Sequence, residues 1–201
     1  MKCLYFHILL ILSPLLLFQQ IKELSIGADV PQFGQSMKEV SGKELTLKEI
    51  ASNKRGLLVI FSCNTCPYVK LYENRTKKII EFCDKNNIGL AILNSNEAQR
   101  GDEDSFEAMK KYQAEHLKGA NYLLDEKSKM ADAFGATRTP QVFLFDASGK
   151  LIYKGAIDDN VKDETQVKIP YLQNALDALL SGKKPAIQET KSIGCTIKRT
   201  E

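Results

Sequence analysis

Leu57-Leu58-Val59-Ile60-Phe61 is an unbroken apolar run that leads, one residue later, into Cys63-Asn64-Thr65-Cys66-Pro67. A run of strand length without polar alternation is expected to be buried on both faces, as in a sheet covered by helices on either side. Pro67 suits the first turn of a helix, where its missing N–H has no intrahelical partner. Val69, Tyr72, Thr76, Ile79, Ile80 and Cys83 then recur at helical spacing, which predicts one helix from Cys66 to about Lys85 with a single buried face. Few folds hold a buried strand, a close cysteine pair and a helix start in that order.

The rest of the chain fills in around this unit. Leu24 to Met37 reads as irregular, punctuated by Gly27, Pro31 and Gly34. Ser41-Gly42-Lys43 predicts a turn between two short strands, and Thr46 to Ala51 a short helix. Ile88 to Leu93 predicts a second buried strand. Asp104 to Leu117 predicts a helix with Phe106, Met109, Gln113 and Leu117 inward. Tyr122 to Leu124 reads as a strand and Lys127 to Phe134 as a helix stopped by Gly135. Val142 to Phe145 and Leu151 to Tyr153 flank Asp146-Ala147-Ser148-Gly149, a hairpin turn by its residue types. A last helix is predicted over Gln166 to Leu180. Strands alternating with helices, then a hairpin and a helix, predict an α/β fold with a mixed sheet.

At 201 residues the chain suits one domain with short extensions. The first residues form a unit of their own. Lys2 precedes an apolar stretch, Leu4 to Phe18, that is shorter than the roughly 20 residues a spanning helix needs. Residues 1–20 therefore read as a secretory signal, with an uncleaved N-terminal membrane anchor as the alternative. Residues 24–182 are the expected domain and 183–201 a C-terminal tail carrying Cys195. Basic and acidic residues number 28 and 25, so charge gives no argument for nucleic acid. Export predicts an oxidising compartment, periplasmic or otherwise extracytoplasmic.

Five cysteines need sorting. Cys3 belongs to the leader, Cys83 falls on the apolar face of its helix and reads as inert core, and Cys195 stands alone in the tail. Zinc needs four ligands, and with His7 in the leader only His116 is available beside the single Cys-x-x-Cys. No metal site is expected, and no glycine-rich phosphate loop implies a nucleotide or other cofactor. His116 is expected to cap its helix or face solvent, and Lys70 and Glu73 to be solvated helix-face charges.

A strand leading into Cys-x-x-Cys and a helix sets Cys63 at the helix N-terminus, where unpaired N–H groups favour a thiolate. Cys66, one turn inside, then reaches any mixed disulfide formed on Cys63. On this reading Cys63 is the nucleophile and Cys66 the resolving thiol. The bland alternative is a passive disulfide, which in so short a loop stabilises little.

The chain resembles the thioredoxin-like superfamily and, within it, a peroxiredoxin-like branch grouped with alkyl hydroperoxide reductase and thiol-specific antioxidant proteins. The resemblance rests on Phe61-Ser62-Cys63-Asn64-Thr65-Cys66-Pro67-Tyr68-Val69-Lys70, on Ala136-Thr137-Arg138-Thr139-Pro140-Gln141-Val142-Phe143-Leu144-Phe145-Asp146, and on Ser192-Ile193-Gly194-Cys195-Thr196-Ile197-Lys198. It implies a thioredoxin fold and a redox role, with Cys63 and Cys66 matching the dithiol pair. It implies that Pro140 is the cis-proline facing that pair, with Thr139 offering backbone groups to an extended substrate segment. The position of the buried acid that assists proton transfer in thioredoxin falls near Leu57, which leaves that role without a holder.

The expected function is therefore thiol–disulfide exchange with disulfide-containing exported proteins, using a separate thiol electron donor. A thiol-dependent peroxidase is the rival, with Cys66 peroxidatic, Arg138 polarising the peroxide, and Cys63 or Cys195 resolving. The peroxiredoxin pattern places threonine and proline where this chain has Cys63 and Val59. A non-catalytic redox-sensing or binding module is the third reading.

Overall fold

The computed structural model describes residues 22–200; the predicted leader, with Cys3 and His7, lies outside them. The elements run β1 (Met37–Glu39), β2 (Glu44–Leu45), α1 (Leu47–Ala51), β3 (Gly56–Ser62), α2 (Pro67–Leu71), α3 (Glu73–Lys85), β4 (Gly89–Asn94), α4 (Phe106–His116), β5 (Asn121–Leu124), α5 (Lys129–Phe134), β6 (Arg138–Thr139), β7 (Gln141–Asp146), β8 (Leu151–Gly155), α6 (Tyr171–Leu180) and β9 (Cys195–Thr196). Seven strands form one sheet in the order β2-β1-β5-β4-β3-β7-β8. β3, β4 and β5 are parallel, while β1 and β7 join antiparallel, so the sheet is mixed. β6 and β9 make a separate two-stranded ribbon.

Strand β3 lies at the centre because it can be covered on both sides. Side chains alternate across a strand, so Leu58 and Ile60 join one core with Ile79, Ile80, Met109 and Leu176. Leu57, Val59 and Phe61 join the other, with Leu47, Ile50, Met130 and Phe134. Phe61, Phe134 and Phe143 meet edge to face at 5.2–5.7 Å, a geometry aromatic quadrupoles favour. The hairpin turn forms as expected: one Asp146 carboxylate oxygen accepts the Ser148 and Lys150 N–H groups.

Four boundaries depart from expectation, each for a local reason. The single helix over Cys66–Lys85 is two, broken at Tyr72 (φ −90°, ψ 0°). There the Arg75 guanidinium takes the Leu71 carbonyl at 3.0 Å, and a side chain inserted into the helical ladder kinks it. Asp104 does not begin α4; it is fully buried, Ser105 caps the helix, and Tyr112 rather than Gln113 turns inward. Lys127 and Ser128 adopt positive φ, which delays α5 to Lys129; Asp125 accepts the Met130 and Ala131 N–H groups. The last helix starts at Tyr171, because Pro170 stands immediately before it and Glu164–Gln166 is a separate short turn.

The C-terminal tail packs back on the fold through residue 200. The Thr190 hydroxyl accepts the Ala156 N–H at 2.9 Å, and Ile197 is buried in the core beside Phe61. Among the described residues no helix is long and apolar enough to cross a membrane.

Candidate active site

At the end of β3 the chain turns through Ser62-Cys63-Asn64-Thr65 and enters α2 at Pro67. Pro67 opens α2 as expected, so Cys66 is the N-cap and Cys63 lies before the helix rather than at its start. Both thiols are free and nearly enclosed, Cys63 at 1% and Cys66 at 4% exposure. They open onto a cleft of about 380 Å³ that Lys70, Glu103, Cys195 and Lys198 also line.

The loop is held by a polar network beneath it. The buried Asp104 carboxyl accepts the Asn64 backbone N–H at 2.8 Å, Asn94 Nδ2 at 2.6 Å and Asn96 Nδ2 at 2.9 Å. Tyr122 donates its hydroxyl to Asn64 Oδ1 at 2.8 Å, and Asn64 Nδ2 donates to the Glu103 carbonyl at 2.8 Å. Such a network costs little while every member is paired and much when one is removed. Sequence reading missed it and placed Asp104 on a helix. The available signal was Asn94-Ser95-Asn96, a polar cluster at the carboxyl end of a buried strand, where α/β sheets carry their sites.

The two sulfurs share protons unequally. Cys63 donates its S–H toward Cys66; that bond, burial and the nearby Asp104 carboxyl together push Cys63 well above the ordinary thiol range. The same bond pulls Cys66 down, helped by Cys195, Thr139 and the Val69 N–H against the cost of burial. The five residues of α2 make a weak dipole, so these donors carry most of the effect. Cys66 is thus the first to ionise. While protonated, it donates to the Thr139 carbonyl at 3.2 Å; loss of the proton ends that bond. Replacing Cys63 by alanine removes the main donor, so the Cys66 pKa should rise toward the usual value near 8.5. Thiolate absorbance near 240 nm, followed against pH, checks this; an unmoved titration would refute the sharing.

Thr139 is fully buried, its hydroxyl 3.6 Å from Cys63 Sγ, and the Thr139–Pro140 bond is cis. Thr139 therefore stands beside the thiols, with Pro140 joined to it through the cis bond. Arg138 does not: it lines a separate cavity with Glu23, Gln141 and Thr190. Cys195 does reach the site: it lines the same cleft as the two thiols and pairs with Thr139. Cys83 is core, with burial pushing its thiol up to about 12. His116 is partly exposed, with Nδ1 2.9 Å from a carboxylate oxygen of Glu73, which also pairs with Lys77. No cluster of metal-ligating side chains occurs among the described residues.

The Redoxin family model matches residues 25–169. A search of curated proteins gives no match. Among solved structures, the chain is similar to a hypothetical protein from Sinorhizobium meliloti 1021, at 31% identity and a TM-score of 0.81 over 89% of this chain and 97% of that one. A thioredoxin-like protein solved in its oxidised form aligns at 17% identity and a TM-score of 0.60, over 80% of this chain and 100% of that one. The thioredoxin domain of a thiol-disulfide oxidoreductase from Bacteroides vulgatus aligns at 18% identity and a TM-score of 0.54, over 66% and 89%. These last two likenesses establish a thioredoxin-like fold.

Proposed function

Because this chain belongs to the Redoxin family, within the thioredoxin-like superfamily, we propose that it is a thiol–disulfide oxidoreductase whose Cys63 and Cys66 cycle between dithiol and disulfide. The observation that carries this reading is that two free sulfurs open on one cleft and share Thr139, whose hydroxyl is 3.6 Å from Cys63 Sγ and whose carbonyl is 3.2 Å from Cys66 Sγ.

In the proposed cycle the Cys66 thiolate attacks one sulfur of a substrate disulfide. The other sulfur departs as a thiolate and takes up a proton. Cys63 then loses its proton and attacks Cys66 Sγ, which releases the substrate reduced and leaves a Cys63–Cys66 disulfide. This ordering reverses the roles expected from spacing, because Cys66 rather than Cys63 caps α2 and collects the donors. Thr139 and Pro140 would border the incoming segment. Substrates are disulfide-bearing proteins, and a separate thiol donor restores the dithiol; no cofactor is needed. The apolar leader favours an exported protein, extracytoplasmic and released or tethered at its N-terminus.

Peroxide reduction is the second reading, since a helix-capping thiolate also suits attack on an O–O bond. Arg138, the group expected to polarise peroxide, faces another cavity, which favours exchange. Purified protein should reduce a protein disulfide with dithiothreitol as donor, faster than it consumes hydrogen peroxide under the same conditions. Peroxide consumption that outpaces disulfide reduction would reverse the order of the two readings.

A further inference from the structure

A dithiol at 1% and 4% exposure, set in a cleft, leaves a folded partner only a narrow approach to either sulfur. The chain's own C-terminal segment lines that approach through Cys195, Thr196 and Lys198. Strand β9 pairs antiparallel with β6, Cys195 opposite Thr139 and Thr196 opposite Arg138. Beyond it, the Ile197 N–H donates to the Thr137 carbonyl at 3.1 Å and the Lys198 N–H to Asn96 Oδ1 at 3.0 Å. Gly194 packs on the Thr139 backbone so closely that a Cβ there would collide with the Thr139 carbonyl. This is how an added strand docks on a sheet edge, main chain to main chain. Cys195 thereby lines the same cleft as Cys66 while remaining partly exposed.

We propose that Cys195 is a third redox-active thiol of this centre: β9 acts as a built-in substrate segment, and the oxidised pair passes its disulfide outward as a Cys66–Cys195 bond. The proposal rests on the dithiol reading above. In the transfer, Cys195 loses its proton and its sulfur attacks Cys66 Sγ. The Cys63–Cys66 bond breaks as the Cys66–Cys195 bond forms, and Cys63 departs as a thiolate that takes up a proton. One disulfide replaces another, so no external oxidant or reductant enters this step. A donor thiol then attacks the accessible Cys195 sulfur and expels the Cys66 thiolate. A second donor thiol completes the donor disulfide and frees Cys195. Burial and the neighbouring Cys66 raise the Cys195 thiol, and Lys198 offsets part of that rise.

Tryptic mapping tests this on the full chain. Residues 56–70 carry Cys63 and Cys66 in one peptide, and residues 192–198 carry Cys195 in another. After one equivalent of oxidised glutathione, acid quenching and alkylation, a 56–70/192–198 cross-link is expected in the wild type and should dominate in Cys63→Ser. It should be absent in Cys66→Ser. Re-reduction of the oxidised protein by glutathione should slow at least about tenfold in Cys195→Ser, as the accessible sulfur is lost. A wild-type Cys63–Cys66 disulfide with no cross-link in either protein would overturn the inference and leave the dithiol reading standing. Failure of the wild type to form any disulfide would sink the dithiol reading itself.

Discussion

Replacing Cys66 by serine is expected to lower disulfide-substrate turnover at least about 10³-fold, because the attacking atom is gone. The fold should persist: serine is nearly isosteric, and its hydroxyl can donate to the Thr139 carbonyl that now accepts the Cys66 thiol. A urea midpoint close to wild type, alongside lost turnover, separates chemistry from misfolding. Cys63→Ser differs, since attack by Cys66 survives and Cys195 stands ready to resolve. A substrate-bound mixed disulfide should therefore accumulate only when Cys63 and Cys195 are both serine. The pH profile follows from the direction of the Cys66 shift. A lowered pKa means that the reactive anion is present at neutrality and declines only as pH falls through that lowered value. An ordinary cysteine loses most of its thiolate on descending below about 8.5. Turnover retained in Cys66→Ser, with Cys63→Ser inactive, would restore Cys63 as the nucleophile.

Asp158→Ala is expected to cost about 3–5 kcal/mol of folding stability, the range for removing one partner of a buried ion pair. Arg75 Nη1 reaches both Asp158 oxygens at 2.7 and 3.0 Å, with side chains 8% and 4% exposed. The Tyr72 hydroxyl also donates to Asp158, and the guanidinium stacks 3.9 Å from the Tyr72 ring centroid. Nη1 also donates to the Asn160 carbonyl, and Nη2 to the Leu71 and Val161 carbonyls. With Asp158 gone, the arginine charge keeps its burial and loses its counterion. Arg75→Met, which removes the charge as well, should destabilise less, because it leaves a carboxyl that can protonate. Chemical unfolding of both variants gives the comparison; equal losses would mean that packing, not charge, dominates there.

Arg75 and Asp158 also mark where sequence reading stops. Features carried by neighbours along the chain were legible. The run Leu57 to Phe61, the Pro67 helix start and the Asp146–Gly149 turn each follow from local rules and appear where expected. Features made by residues far apart were not. Arg75 and Asp158 are 83 residues apart, and the resulting grip on the Leu71 carbonyl splits a helix that periodicity alone would leave whole. Asp104 was mistaken for a helix start because its partners, Asn64, Asn94 and Asn96, meet it only in the folded chain. The Cys63–Cys66 pair was evident from spacing, but which sulfur ionises first was not. That depends on where α2 begins and on a third cysteine that sits 129 positions after Cys66 in the chain.

The pairing of Cys195 with Thr139 tolerates one alignment only. Sliding the terminal strand by a single position would turn its sulfur to the opposite side of the ribbon. It would also bring a bulkier neighbour to the spot that only Gly194 fits. The last few residues therefore work as a fixed-length arm, and inserting or deleting one amino acid between Thr190 and Gly194 would leave the thiol in the protein yet aimed away from its target.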